Sequence, residues 1–182
     1  MAGNIAKYVI DTCSLIKLSE DYPPDVFGVV WDAMDQLAES GVIVSSVEVL
    51  DELRKTEDKN DIVLMWAERH ERIFLPLDGF VQQKALEILA TFENLVDLNK
   101  KKSSADGFVI GTAMMYACAV VTDERPTNNT AVSGHKVRIP DVCKYYKVHC
   151  VTLVQMLRAE GVKFSSTNPT ILRDIENLDK TF

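Results

Sequence analysis

The stretch YVIDTCSLIKL at residues 8–18 joins a short β-branched run to a segment with helical spacing. Tyr8 to Ile10 have the composition of a buried strand, Asp11 ends that strand, and the following residues have the pattern of a helix. The same alternation continues along the chain, and it predicts further strands at 42–44, 73–75, 119–122 and 148–151. Alternation of this kind predicts an α/β fold: a three-layer α/β/α sandwich around a mainly parallel sheet of four or five strands.

Caps and helical spacing predict the helices between these strands. One helix is marked by apolar residues at helical spacing, namely Val26, Val29, Val30, Ala33, Met34 and Leu37. Gly41 is placed to end that helix, and either Ser45 or Ser46 is placed to cap the next one. Later helices are predicted at 61–69, 78–92, 104–116, 140–146 and 152–161.

Composition excludes several classes of protein. The 182 residues include 20 Lys and Arg against 27 Asp and Glu, a net charge of -7, so no global basic field is available to hold nucleic acid. No apolar run approaches the roughly 20 residues that span a bilayer, so we expect no membrane segment. The four cysteines form no C-x-x-C pair, which favours reduced thiols in the cytoplasm. We expect one domain over residues 1–162 and a polar tail over residues 163–182.

Acidic residues lie directly after predicted strands or in the first two turns of predicted helices, at the edge where a parallel sheet binds its ligands. They are Asp11, Glu52, Asp106, Asp123 and Glu124. Because the carboxyl ends of parallel strands meet at one edge, these side chains are expected to converge there. Coulomb repulsion opposes such a cluster unless cations neutralise it, and oxygen ligands favour Mg²⁺ or Mn²⁺.

Each acid also has a structural alternative. Asp11 could form a turn or cap a helix, and Asp106 could stabilise a helix N-terminus through the helix dipole. Glu52 could pair with Lys55 or Lys59 on the surface. Glu48 lies three residues after Ser45, as in a capping box, which is why Glu52 is the preferred candidate on this segment.

Four segments of the sequence resemble the PIN domain family of metal-dependent ribonucleases. They are YVIDTCSLIKL at 8–18, SSVEVLDEL at 45–53, SSADGFVIGTA at 103–113 and AVVTDE at 119–124. Within that family the chain looks most like a subgroup known only as a domain of unknown function, through YPPDVF at 22–27 and IPDVC at 139–143.

The resemblance implies a PIN-like, Rossmann-like fold and the hydrolysis of RNA phosphodiester bonds at a divalent-metal site, with no organic cofactor. It implies that Asp11, Glu52, Asp106 and Glu124 are catalytic and hold the metal, with Asp123 as the alternative fourth acid. It further implies the toxin of a toxin–antitoxin pair, with an antitoxin protein as partner and a homodimer as the assembly. The alternative is a catalytically inactive PIN-like scaffold that binds RNA or protein.

Basic and hydroxyl side chains near these acids are candidates for substrate binding. Thr12 and Ser104 lie beside acids and could contact phosphate, while Lys102 and Arg125 could meet an RNA backbone. Cys13 lacks a basic partner in sequence, so nucleophilic catalysis by its thiol is not expected.

Overall fold

The short β-branched runs form the strands of one sheet in a computed structural model that describes residues 6–55, 61–92, 95, 105–127 and 136–163. The strands are β1 (Tyr8–Ile10), β2 (Ile43–Ser46), β3 (Phe74–Leu75), β4 (Ala119–Val121) and β5 (Cys150–Val151). Their order across the sheet is β3-β2-β1-β4-β5, and every neighbouring pair is parallel. The predicted α/β fold is confirmed, with five strands.

Helices flank the sheet between successive strands. In the described residues they are α1 (Thr12–Asp21), α2 (Pro24–Glu39), α3 (Val47–Arg54), α4 (Ile62–Arg69), α5 (Gly79–Thr91), α6 (Asp106–Tyr116), α7 (Ile139–Tyr146) and α8 (Leu153–Ala159). The side chains of Asp78 and Thr152 cap α5 and α8, as the sequence predicts. None of these helices is long and apolar enough to cross a membrane.

The strand order places a crevice between β1 and β4. The chain steps outward from β1 through β2 to β3, and then returns to β4 on the other side of β1. Right-handed crossovers that run in opposite directions put their helices on opposite faces, which produces the layered arrangement. The reversal of direction is the point at which open parallel sheets bind ligands, beyond the carboxyl ends of the strands.

Two glycines allow α6 to lie close against α5. A Cβ on Gly111 would lie 3.1 Å from the Val81 carbonyl oxygen, and one on Gly107 would lie 3.5 Å from the Ala85 carbonyl oxygen. A larger side chain at Gly111 would therefore push the two helices apart. This packing fixes the position of α6, whose first residue is Asp106.

Several predicted boundaries and burials are corrected. Val26 and Val29 are 67 % and 48 % exposed, and the backbone of α2 is non-helical at Phe27, between them. Ser46, not Ser45, caps α3, since the Ser45 hydroxyl donates to the Ile10 carbonyl oxygen instead. The last strand is limited to Cys150–Val151.

Several predictions concern residues that the structure does not describe. The helix predicted from Ser104 begins at Asp106, and Ser104 itself lies outside the described residues. Residues 164–182 of the predicted tail also lie outside the described residues. Trp31 and Trp66 are buried in the core.

Candidate active site

The acids at the carboxyl edge are positioned by the junctions between strands and helices. Asp11 follows β1 and is the N-cap of α1, and its backbone N–H donates to the Val121 carbonyl oxygen at the end of β4. Asp106 is the first residue of α6, and Glu124 lies three residues beyond β4. Parallel topology thus brings segments that are far apart in sequence to one edge.

A cavity of about 420 Å³ opens at this edge. The four acids proposed from sequence as catalytic all line this cavity, together with residues of α1 and α3 and the residue before α4. The lining residues are Asp11, Thr12, Cys13, Ile16, Glu52, Leu53, Asp61, Asp106 and Glu124. The cavity therefore collects acidic side chains from five separate segments.

Asp11 is the most deeply buried of these acids, with 3 % of its surface exposed. Its carboxylate accepts hydrogen bonds from the Thr12 N–H at 2.7 Å and from the Thr122 hydroxyl at 3.0 Å. Burial nevertheless raises the pKa of Asp11 to about 6, and the negative charge of Glu124 adds to the rise. The hydrogen bonds compensate for the charge only in part, and perturbed acids of this kind cluster at functional sites.

Glu52 joins three helices through its carboxylate. One oxygen accepts from the Thr12 hydroxyl at 2.6 Å, and the other accepts from the Ala105 N–H at 2.9 Å. The second contact places a negative charge at the N-terminus of α6, where the helix dipole favours it. Glu52 is therefore held beside the cavity, and within the described residues it makes no ion pair with Lys55; Lys59 lies outside the described residues.

Glu124 and Asp123 point to different places although they are adjacent. Glu124 lines the cavity, and one of its carboxylate oxygens accepts from the Ile139 N–H at the start of α7, at 3.0 Å. The Asp123 carboxylate instead accepts from the Ser14 hydroxyl at 3.0 Å and from the Leu153 N–H of α8 at 3.4 Å. Of the two alternatives for the fourth acid, the structure places Glu124 at the cavity and Asp123 in contacts with α1 and α8.

The candidate substrate-binding residues are only partly brought together. Thr12 lines the cavity, whereas Arg125 is exposed and does not line it. Lys102 and Ser104 lie outside the described residues. Burial and the neighbouring Asp11 carboxylate raise the pKa of the Cys13 thiol, which disfavours its thiolate form.

Asp61 is the lining acid that sequence reasoning missed. Its carboxylate caps α4 by accepting from the Val63 N–H at 2.8 Å and from the Leu64 N–H at 3.4 Å. Its position as a helix cap could have identified Asp61 as a candidate, because helices that run antiparallel to the strands begin at the carboxyl edge. The packing of α4 against α1, which brings Asp61 to the cavity, has no local signature in the sequence.

The donor set matches a hard divalent cation in chemistry, since it consists of carboxylate oxygens. Within the part of the chain that the structure describes, no three His, Cys, Asp or Glu side chains are placed to hold a metal ion together. The carboxylates of Asp11, Glu52 and Glu124 accept the hydrogen bonds given above. Each carboxylate oxygen keeps acceptor capacity beside one hydrogen bond, so the same side chains can also coordinate a cation.

Comparisons with known proteins give one family. A comparison with curated protein sequences finds no match. A solved structure of FitAcB from Neisseria gonorrhoeae is similar at 19 % identity with a TM-score of 0.47, covering 81 % of this chain and 98 % of that one. The model of the family described as "Domain of unknown function (DUF4411)" matches residues 8–164, and the chain therefore belongs to the DUF4411 family.

Proposed function

We propose that this protein is a ribonuclease that hydrolyses RNA phosphodiester bonds with Mg²⁺ or Mn²⁺. The supporting observation is the cavity at the β1/β4 crevice, where Asp11, Glu52, Asp106 and Glu124 lie together. A buried carboxylate whose pKa is raised to about 6 is costly for the fold, and a cost of this kind is typical of functional sites.

The four acids would hold the cation in this proposal. When bound, a divalent cation supplies Lewis acidity toward a phosphate oxygen and toward the attacking water. The protein contributes the position of each carboxylate: Thr12 and Thr122 orient Asp11, while Thr12 and the α6 N-terminus orient Glu52. Because RNA is a polyanion, the acidic cavity would repel it until the negative charge is neutralised, so binding should depend on the cation.

Substrate contacts are assigned to side chains around the rim. Thr12 lies in the cavity itself, and Arg125 follows Glu124 on the exposed side. Lys102 and Ser104 precede Asp106 closely in sequence and are proposed to meet the phosphate backbone. With a net charge of -7, the protein depends on such local cations rather than on an overall field.

We further propose that the protein is the toxin of a toxin–antitoxin pair and acts in the cytoplasm. This proposal is supported by the PIN-like motifs of the sequence. An antitoxin protein and a second copy of the chain are the expected partners.

A non-catalytic scaffold is the second candidate, and one observation favours it. Asp11, Glu52, Asp123 and Glu124 all accept hydrogen bonds that tie secondary structure elements together, so these acids also stabilise the fold in the absence of a cation. A scaffold of this kind would bind RNA or protein without cleaving it.

The test compares the wild type with Asp106→Asn and Asp11→Asn, and uses Asp51→Asn as the matched control. Asp51 is an acid of α3 that pairs with Arg54 at 3.8 Å and does not line the cavity. Binding of Mn²⁺ is measured by calorimetry, and cleavage of total RNA is measured in Mg²⁺ and in Mn²⁺. We expect both to be lost in the cavity variants and retained in Asp51→Asn.

The outcomes separate the candidates. Wild-type RNA binding without cleavage would favour the scaffold. Cleavage by Asp11→Asn at the wild-type rate would contradict the nuclease proposal, because the most buried acid would then have no part in the reaction.

A further inference from the structure

The segment between β4 and α7 is tied together by one buried carboxylate that does not line the cavity. Asp141 belongs to the IPDVC stretch at residues 139–143 and is 8 % exposed. Its Oδ2 accepts from the Thr127 hydroxyl at 2.6 Å and from the Arg138 N–H at 3.1 Å. The Thr127 N–H donates to both of its oxygens, at 3.0 and 3.1 Å. A single side chain therefore holds Thr127, which follows β4, against the start of α7.

The same carboxylate fixes the backbone group that holds Glu124. Arg138 and Ile139 share one planar peptide unit, whose carbonyl oxygen and N–H point in opposite directions. The carbonyl oxygen accepts from the Asp141 N–H at 3.0 Å, and the N–H donates to Glu124 Oε2 at 3.0 Å. Because the Asp141 side chain also holds the Arg138 N–H, this peptide unit is fixed on both sides, and it fixes the direction of the Glu124 carboxylate.

The backbone on either side of Glu124 is held as well. The Glu124 N–H donates to the Thr122 hydroxyl at 3.3 Å, and that hydroxyl donates to the Asp11 carboxylate at 3.0 Å. Further along the chain, Thr127 is held by Asp141. The short stretch that carries Glu124 is thus fixed at one end through the acid that follows β1 and at the other end by Asp141.

We propose that Asp141 is a positioning residue for Glu124: it clamps Thr127 to the N-terminus of α7 and thereby keeps the Glu124 carboxylate directed into the cavity. Asp141 acts through the Ile139 N–H and not by contact with a cation or with RNA. The consequence for cation binding and cleavage rests on the proposed function, whereas the clamp itself is a property of the cation-free protein.

A capping box alone does not account for these contacts. In the capping box of α8, the Thr152 N–H donates to the Gln155 side chain at 2.9 Å, and the Gln155 N–H donates to the Thr152 hydroxyl at 3.3 Å. Gln155 is exposed, and these contacts stay within its own helix and cap. Asp141 occupies the equivalent position in α7, but it is buried and extends to Thr127. The additional contacts join α7 to the segment that follows β4, which a helix cap does not require.

The test measures amide hydrogen exchange of the Ile139 N–H by nuclear magnetic resonance, in the full chain without a cation. Asp141→Asn leaves one acceptor oxygen where the carboxylate has two, so at least one donor loses its partner. We expect the Ile139 N–H to exchange about tenfold faster in this variant. Gln155→Ala is the matched control, because it changes the same position of the α8 capping box and should leave exchange at Ile139 unchanged.

A second pair of variants keeps the carboxylate itself. Thr127→Val removes the hydroxyl that donates to Asp141 and retains a branched side chain, whereas Thr127→Ser retains the hydroxyl. Exchange at Ile139 should be faster in Thr127→Val and close to the wild-type rate in Thr127→Ser. Rescue by serine would show that the hydrogen bond, and not the volume of residue 127, carries the effect.

A double variant shows whether the effect passes through Glu124. Glu124→Ala removes the acceptor of the Ile139 N–H, so adding Asp141→Asn to it should accelerate exchange no further. General loosening of α7 would instead multiply the two effects. The proposal is overturned if Ile139 exchanges at the wild-type rate in both Asp141→Asn and Thr127→Val, or if Asp141→Asn accelerates exchange equally with and without Glu124.

Cation binding measures the consequence for the proposed function. Calorimetry should show that Asp141→Asn binds Mn²⁺ about 10- to 100-fold more weakly than the wild type, and RNA cleavage should return once Mn²⁺ saturates the variant. Equal weakening in the Glu124→Ala background would show that Asp141 acts elsewhere, and would overturn the proposal. A wild type that neither binds Mn²⁺ nor cleaves RNA would contradict the proposed function alone, since the exchange measurements use neither.

Discussion

At the carboxyl edge of the sheet, Asp11, Glu52, Asp106 and Glu124 share one cavity, whereas at the amino edge the Glu160 carboxylate is paired with groups that neutralise it. Lys7 Nζ lies 3.2 Å from Glu160, and the Tyr8 hydroxyl donates to Glu160 at 2.9 Å. Both edges are made by the same strands, since Tyr8 begins β1 and Asp11 follows it.

The difference is one of electrostatic stability, and it supports the proposal that the carboxyl edge is the functional one. Opposite charges at the amino edge stabilise the fold weakly and need no ligand. Like charges at the carboxyl edge destabilise it, and among the described residues backbone N–H and hydroxyl donors offset part of that cost. Acids that stay clustered at one edge despite this loss of stability are expected to have a functional role.

The largest expected effect comes from neighbouring acids on α3. Glu52→Gln should reduce RNA cleavage by about 100-fold or more, because it removes a charge from the cavity, whereas Asp51→Asn should leave cleavage unchanged. Initial cleavage rates in Mg²⁺, with circular dichroism to verify folding, measure the difference. Equal losses in the two variants would show that general acidity of α3, not the cavity, is what matters.

A smaller effect, a gain in stability, is expected for Asp11→Asn. Its pKa of about 6 exceeds the ordinary value near 4, so the folded state binds the proton more tightly than the unfolded state. The free energy of unfolding should therefore fall as the pH rises from about 4 to about 6. Replacing the acid should stabilise the cation-free protein at pH 7 by on the order of 1–3 kcal/mol.

Urea denaturation of Asp11→Asn in a chelator, at neutral pH and near pH 4, tests this prediction. Most of the gain should disappear at the lower pH, where the folded wild type is protonated and Asp11 is protonated in about half of the unfolded chains. A variant that is less stable than the wild type at pH 7 would mean that the hydrogen bonds from Thr12 and Thr122 outweigh the burial of the charge.

Helix packing at the acidic edge gives the next effect. Gly111→Ala should destabilise the protein by about 1–3 kcal/mol, because the new Cβ would lie 3.1 Å from the Val81 carbonyl oxygen. Gly28→Ala is the matched control: Gly28 lies in α2, and a Cβ added there would meet no atom within 4 Å, so the higher helix propensity of alanine should apply. Thermal unfolding of both variants compares them, and a stable Gly111→Ala would show that α5 and α6 can separate without cost.

The positions of the strands and most of the acids were predictable from sequence because both follow local rules. A β-branched run ending in an acid, as at Ile10 and Asp11, marks a strand and its carboxyl end. Parallel pairing then brings Glu52, Asp106 and Glu124 to the same edge without any further information. Their roles in binding and catalysis stay predictions.

Features that depend on the path of the chain in the folded protein could not be predicted from the sequence. Asp123 and Glu124 differ by one residue, and only the path of the chain after β4 sends one toward α8 and the other into the cavity. The exposure of Val26 and the irregular backbone at Phe27 are likewise features that helical spacing does not reveal.

The smallest expected effect is at the amino edge, where Glu160→Gln should cost less than about 1 kcal/mol. Lys7 is largely exposed, so water and salt already screen its attraction to Glu160. The variant has a second, more specific consequence: burial raises the pKa of Tyr8 to about 12, and the hydrogen bond and charge of Glu160 add to the rise. Ultraviolet titration of the variant should therefore show Tyr8 ionising at a lower pH, but still above its ordinary value near 10, because burial is the larger cause. If Tyr8 instead returned fully to its ordinary value, the amino edge would depend on charge as strongly as the carboxyl edge, and the contrast between the two edges would fail.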